Sequence, residues 1–259
     1  MRSRIARKFQ ALRKEGKKAF IPYIMAGDPD IKRTGELVKI FEDCGADIIE
    51  LGVPFSDPLA DGPTIQAAAQ RALSGGTTLH TVLDFVSTLR KSTQIPIILM
   101  TYYNPVFKYG DGKFIEDAST AGVDGIIVPD LPPDEAEGLI KLSRKKPFDT
   151  IFLLAPTSTE ERMRKVCHAS RGFIYYVSIT GITGTALSLD PSIGSHIEQI
   201  RNISDTPVSV GFGISTPEEA ATVAGIADGV IVGSAIVRKS NGPDEELKHY
   251  LRSLRAAIA

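Results

Sequence analysis

Asp47-Ile48-Ile49-Glu50-Leu51-Gly52 (residues 47–52) is a short aliphatic run with one carboxylic acid near its C-terminal end. Ile48, Ile49 and Leu51 leave it no polar face, so it reads as a strand buried on both sides, as parallel strands between helices are. Similar runs recur along the chain at 20–25 (FIPYIM), 95–100 (IPIILM), 124–129 (DGIIVP), 149–154 (DTIFLL), 173–178 (FIYYVS), 207–212 (PVSVGF) and 228–233 (DGVIVG). Helical patterns separate them, clearest at 30–44, 132–146, 158–169, 191–203 and 216–226. Two of these open on Pro followed by acids, Pro132-Pro133-Asp134-Glu135 and Thr216-Pro217-Glu218-Glu219, the signature of a helix N-terminus.

A weak internal echo runs through the series. Gly45-Ala46-Asp47-Ile48, Gly122-Val123-Asp124-Gly125 and Ala227-Asp228-Gly229-Val230 each end a helix and enter a strand. Eight βα units with repeated turns favour closure into a barrel over an open doubly wound sheet. An open sheet would show a glycine-rich GxGxxG turn after its first strand, where this chain has Ala26-Gly27-Asp28-Pro29. The expected fold is a single (β/α)8 TIM barrel spanning 1–259, with no linker dividing it. The wide gap between the second and third strands predicts two extra helices, 62–75 and 78–92. The first eighteen residues place Ile5, Phe9 and Leu12 at helical spacing among eight cations, which predicts an N-terminal amphipathic helix with a solvated face.

Bulk properties narrow the function. The 259 residues carry a net charge of −1, which argues against a nucleic-acid or anionic-membrane binder. No apolar run approaches a membrane span and no cleavable signal is visible. Cys44 and Cys167 are too few for a disulfide framework, and a reducing cytoplasm is the expected location.

Elimination then narrows the chemistry. No strand contains a lysine for Schiff-base catalysis, and His80, His168, His196 and His249 all fall in predicted helices without ligand spacing, so no metal site is expected. Carboxylates remain. Glu50 shares a strand face with Ile48, at the end of the strand where barrel enzymes place acids and bases. An ion there costs several kcal/mol unless paired, so a raised pKa or a function is expected. Asp57 and Asp61 in the following loop are either further carboxylates of the site or turn formers. Asp28 and Asp130 also end strands, beside prolines, where capping is the expected role.

Gly211-Phe212-Gly213 ends the seventh run and Gly233-Ser234 the eighth. Glycines there, followed by a short helix, form the phosphate cradle that barrels use. The Gly- and Thr-rich segment 179–190 reads as a lid with glycine hinges.

With these residues assembled, the chain resembles the tryptophan synthase α-subunit family along nearly its whole length. The matching segments are PYIMAGDP (22–29), ELGVPFSDPLADGPTIQ (50–66), LMTYYNPVFKYG (99–110), GIIVPDLPPDEA (125–136), GITG (181–184), GFGIS (211–215) and GVIVGSAIV (229–237). The second is long and highly specific. The resemblance implies retro-aldol cleavage of indole-3-glycerol phosphate to indole and glyceraldehyde 3-phosphate. It implies Glu50 as the general acid–base and Asp61 as acceptor of the indole N–H, and it moves Asp57 to a partner-facing loop. Tyr175 falls at the family's active-site position near the glycerol chain, and Thr183 on the lid. Gly184, Gly213, Gly233 and Ser234 would hold the phosphate, with Gly211 beside them. Tyr23, Met100, Ile127, Leu153 and Phe212 would form an apolar wall for indole. Tyr23 and Met100 stand where the family more often has Phe and Leu.

The resemblance also implies an α2β2 assembly in which indole passes to a β subunit holding pyridoxal phosphate, this chain needing no cofactor. The loop Pro54–Leu59 and the segment Asn104–Gly110 would make that contact. Two alternatives share the fold: a free-standing indole-3-glycerol phosphate lyase, and a catalytically silent barrel kept as an activating subunit. Another phosphate-binding barrel, such as an isomerase, would need a His or Lys at the mouth.

Overall fold

The computed structural model describes residues 3–178, 192–211 and 213–258. Its strands are β1 (Ala19–Met25), β2 (Ile49–Gly52), β3 (Ile97–Met100), β4 (Gly125–Ile127), β5 (Asp149–Ile151), β6 (Leu153–Leu154), β7 (Ile174–Val177), β8 (Val208–Gly211) and β9 (Gly229–Val232). All pair in parallel, in the order β5-β4-β3-β2-β1-β9-β8-β7-β6. The two ends of that order, β5 and β6, are separated in the chain by Phe152 alone. They are halves of the expected strand 149–154: the first half pairs with β4 and the second with β7. The Tyr175 N–H reaches the Phe152 carbonyl at 3.1 Å. The sheet therefore closes on itself, and the expected eight-stranded barrel is present with its fifth strand divided at one residue.

Helix α1 (Arg4–Lys14) closes the N-terminal end of the barrel. Its Ile5, Phe9 and Leu12 join Ala19, Ile21, Ile48, Ile98, Ile127, Ile151, Phe173 and Ile231 in one buried cluster. The Phe9 and Phe173 rings lie 5.8 Å apart between centroids. The basic face is less free than its spacing suggests, because Arg4 pairs with Asp124 at 3.0 Å and Lys8 with Asp47 at 3.6 Å.

The outer helices are α2 (Ile31–Asp43), α3 (Pro63–Ser74), α4 (Leu79–Leu89), α5 (Tyr103–Tyr109), α6 (Asp111–Ala121), α7 (Glu137–Ser143), α8 (Glu160–Ala169), α9 (Ser192–Ile203), α10 (Pro217–Ala224), α11 (Ser234–Ser240) and α12 (Asp244–Ile258). The two extra helices after the second strand are α3 and α4. The Thr216 signature holds, since Thr216 and Glu219 form a reciprocal capping box on α10. The Pro132-Pro133-Asp134-Glu135 signature does not start a helix. Glu135 and Ala136 N–H groups bond three residues back, to Pro132 and Pro133, and α7 begins only at Glu137. Consecutive prolines lack N–H donors and bar the preceding residue from helical geometry.

The echo in the sequence has a structural reason. Asp47, Asp124 and Asp228 each stand just before a strand and grip one residue of the preceding one. Their backbone N–H groups donate to the carbonyls of Phe20, Ile97 and Val208 at 2.9, 2.9 and 2.8 Å. Their carboxylates accept from the N–H of the same three residues at 3.0, 2.9 and 2.9 Å. Each carboxylate also meets an arginine, Arg255, Arg90 and Arg201 respectively, at 2.9, 2.7 and 3.3 Å. The strand beginnings, whose first N–H groups would otherwise lack partners, are thus locked at the end of the barrel opposite the strand C-termini.

Candidate active site

Glu50 lies on β2 with Tyr23 of β1 and Ile98 of β3 as its cross-strand neighbours. It is 1 % exposed, and its Oε2 atom has no hydrogen-bond partner among the described residues. Burial pushes its pKa up to about 8, helped by the charge of Asp61. The expectation of a raised pKa from a lone acid in an apolar strand therefore holds.

Asp61 reaches the same site from the loop between β2 and α3. Burial raises its pKa to about 6, while a hydrogen bond with the Tyr102 side chain works the other way. Tyr102 stands just after β3, and its hydroxyl also accepts the Ala60 N–H at 2.8 Å. Its ring lies 5.4 Å from that of Phe55. One tyrosine thus ties down the loop that carries Asp61 and contacts the carboxylate itself. Reading the sequence for acids and glycines passed over Tyr102, although its place directly after a strand was available as a signal.

No cation contributes to the shift of either carboxylate. The two acids are instead surrounded by tyrosines. The hydroxyls of Tyr23 and Tyr175 are both held neutral, far above their ordinary range, chiefly by burial and then by the carboxylates. Glu50 acts on both and Asp61 on Tyr23. Tyr175 on β7, on the far side of β1, is thereby brought to Glu50.

Both tyrosines lean over a glycine on the following strand of the barrel. Tyr23 pairs with Glu50, and its hydroxyl occupies the space beside Gly52, where a β-carbon would lie 2.2 Å from it. Tyr175 pairs with Ser209, and its hydroxyl lies 2.4 Å from the point where Gly211 would carry a β-carbon. Gly211, singled out for phosphate approach, thus has a separate packing reason to be glycine.

Met100 packs between two buried clusters, one containing Tyr23, Ile65 and Val237 and the other filling the barrel interior. Leu153 pairs with Tyr175 and is half-buried, whereas Ile127 is wholly buried in the interior cluster. Gly213 has φ of 77°, and Gly233 is the N-cap of α11, whose first residue is Ser234 and whose start no side chain caps. Thr183, Gly184, Phe212 and the segment 179–190 lie outside the described residues. Asp130 accepts the Tyr103 N–H at 2.9 Å and so serves the start of α5, not the helix that follows it in the chain. Asp28 differs, forming a two-pronged pair with Arg71 at 2.7 and 2.8 Å. A cavity of about 700 Å³ between α1 and the segment before β8 opens at the opposite end of the barrel from this site.

The family model described as tryptophan synthase alpha chain matches residues 9–258. The chain belongs to that family. The tryptophan synthase alpha chain of Geotalea daltonii is 53 % identical, covering 99 % of both chains, and that of Geobacter sulfurreducens is 52 % identical with the same coverage. Among solved structures, Mycobacterium tuberculosis tryptophan synthase superimposes with a TM-score of 0.92 at 38 % identity, covering 100 % of this chain and 99 % of that one. The Legionella pneumophila tryptophan synthase subunit alpha gives 0.90 at 39 % identity, again over 100 % and 99 %. Family and barrel both agree with what the sequence led us to expect, and they make this tryptophan synthase alpha chain a lyase subunit. Among its described residues no helix is long and apolar enough to cross a membrane.

Proposed function

We propose that this chain, as one barrel domain over residues 1–259, cleaves indole-3-glycerol phosphate with Glu50 and Asp61 as its working carboxylates. The observation that carries the reading is the pair itself. Two acids share a site at the C-terminal end of the strands without a balancing cation, and burial separates their pKa values to about 8 and about 6. Between those values Glu50 holds a proton while Asp61 is charged, the division of labour that acid–base chemistry near neutrality needs.

Protonated Glu50 gives its proton to indole C3. The ring nitrogen then carries positive charge, and the Asp61 carboxylate accepts the N–H and stabilises it. The Glu50 carboxylate next takes the proton of the hydroxyl on the carbon attached to C3. That carbon becomes the aldehyde of glyceraldehyde 3-phosphate, the C–C bond breaks, and its electron pair returns to the ring to release indole. Glu50 ends protonated, as it began, and the ring serves as its own electron sink.

Tyr175 supports the glycerol chain, and Tyr23, Met100, Ile127, Leu153 and Phe212 the indole. Gly213, Gly233 and Ser234, with Gly184 and Thr183 on the lid, take the phosphate. The uncapped start of α11 and the left-handed backbone at Gly213 are compatible with backbone N–H groups approaching an anion. Indole passes to a tryptophan synthase β subunit holding pyridoxal phosphate, in a cytoplasmic α2β2 complex. Leu59 and Phe107, the exposed large hydrophobic residues among those described, support that contact, because they fall in the two segments expected to make it.

The test is indole release by Glu50→Gln, with folding followed by circular dichroism. Loss of cleavage by about 10²–10⁴-fold in a folded protein is expected. An unchanged rate would remove Glu50 from the mechanism. Running the assay with and without β subunit separates a complexed α chain from a free-standing lyase, whose rate would not respond.

A further inference from the structure

The family resemblance assigns Tyr23 to an apolar wall, yet its polar end lies beside the two carboxylates. Tyr23 is 6 % exposed and sits directly across from Glu50 in the β1–β2 register. Gly52 is two residues beyond Glu50 and so faces the same side of the sheet. Because Gly52 has no side chain, the Tyr23 ring crosses to β2 and sets its hydroxyl in that space, on the mouth side of Glu50. Glu50 Oε2 is buried and has no hydrogen-bond partner among the described residues. A neutral phenol and a free, buried carboxyl oxygen thus lie on neighbouring strands near the mouth of the barrel.

We infer that the Tyr23 hydroxyl is a positioning residue that donates a hydrogen bond to the Glu50 carboxylate whenever Glu50 has lost its proton. The groups around that hydroxyl are Glu50 on β2, Asp61 in the loop after it, Tyr102 after β3 and Asp28 after β1, with Tyr175 of β7 facing Glu50. Asp28 is engaged by Arg71, and Tyr102 serves Ala60 and Asp61. Tyr23 and Tyr175 are the neutral hydroxyls beside Glu50, and Tyr23 is the one directly across from it in the strand register. It is held neutral by burial and by the nearby negative charge, so it keeps its proton to share at any working pH. Giving up a proton to substrate leaves Glu50 charged beside a charged Asp61. A neutral donor stabilises that state without quenching the acid, as a cation would.

The inference rests on Glu50 as the acid–base group, and its test reads Glu50 directly as well as through catalysis. The Glu50 carboxyl is followed by ¹³C NMR titration in the full chain, assigned with Glu50→Gln, in wild type and in Tyr23→Phe. Losing the donor disfavours the charged carboxylate, so the midpoint moves up by about one pH unit, and kcat falls about ten-fold. KM stays within a factor of about two, since the contact is to Glu50 and not to substrate. Gly52→Ala, whose β-carbon displaces the hydroxyl together with the adjoining ring edge, moves the midpoint in the same direction. An unmoved midpoint in folded Tyr23→Phe overturns the inference, as does a raised KM with kcat preserved. If the midpoint moves while Glu50→Gln remains fully active, the hydrogen bond stands and the acid–base reading of Glu50 fails.

Discussion

Asp61 raises the pKa of Glu50 by its charge, whereas Glu50 does not contribute to the shift of Asp61. The asymmetry follows from the order of ionisation. Asp61 loses its proton near pH 6, while Glu50 is still neutral, so it meets no opposing charge. Glu50 must then ionise in the presence of an anion.

This order fixes the shape of the pH–rate profile. With Asp61 charged and Glu50 protonated as the working state, kcat/KM should rise as pH passes about 6 and fall as it passes about 8. Replacing Asp61 by Asn removes the charge that helps keep Glu50 protonated, so the falling limb of the residual activity moves to lower pH. Steady-state indole release across pH 5–10 measures both. A profile rising through pH 8 would show that Glu50 works first as a base, contrary to the sequence of steps proposed above.

The same burial has a cost in stability. A carboxyl raised from 4.5 to about 8 on folding contributes its stabilisation fully below pH 4.5 and loses it as pH climbs through 8. Glu50→Gln removes that dependence. The variant should match wild type within about 1 kcal/mol near pH 5 and exceed it by several kcal/mol near pH 9. Urea unfolding at the two pH values reads the difference, and equal stabilities at pH 9 would contradict a pKa raised by burial.

The opposite end of the barrel should behave in the reverse manner, as pure scaffold. Asp124 is 1 % exposed and accepts from the Ile97 N–H, Arg4 and Arg90, the last with a side chain only 10 % exposed. Asp124→Ala leaves a buried N–H without its acceptor and a largely buried guanidinium without its carboxylate, a loss of about 3–5 kcal/mol. The folded fraction should keep wild-type kcat/KM. Chemical denaturation gives the first quantity, and a kcat/KM lowered in proportion to nothing but the folded fraction confirms the second.

These contrasts show what was readable before the fold was known. The closure of the barrel and the place of Glu50 were legible because both follow from short-range pattern: apolar runs at regular intervals, and one acid where the pattern forbids it. The Gly-Ala-Asp and Gly-Val-Asp echo was visible, but its purpose was not, since a carboxylate's grip on the preceding strand is a contact across about 27 residues. Asp61 was one of several acids beside prolines and glycines, and only the resemblance distinguished it from Asp57. The hydroxyl of Tyr23 was hidden for a related reason. Its position depends on the missing side chain of Gly52, a cross-strand relation that no single segment reveals.

The proposed partner-facing surface can be tested without disturbing the site. Leu59 is 93 % exposed in the loop after β2, and Phe107 is 67 % exposed on α5. Burying a leucine or phenylalanine against a partner is worth about 1.5–3 kcal/mol, so losing either should weaken association about ten- to hundred-fold. Leu59→Asp and Phe107→Asp sit outside the core, so the melting temperature and the uncomplexed cleavage rate should stay near wild type. The measured quantity is β-subunit affinity by calorimetry, together with the cleavage rate at saturating β subunit. Tyr102 links this surface to the site: it holds the loop of Leu59 through Ala60 and contacts Asp61, and α5 begins at the next residue. A partner pressing on Leu59 and Phe107 would therefore bear on Asp61 through one side chain. If both aspartate variants bind β subunit as tightly as wild type, the contact lies elsewhere on the barrel and that route is closed.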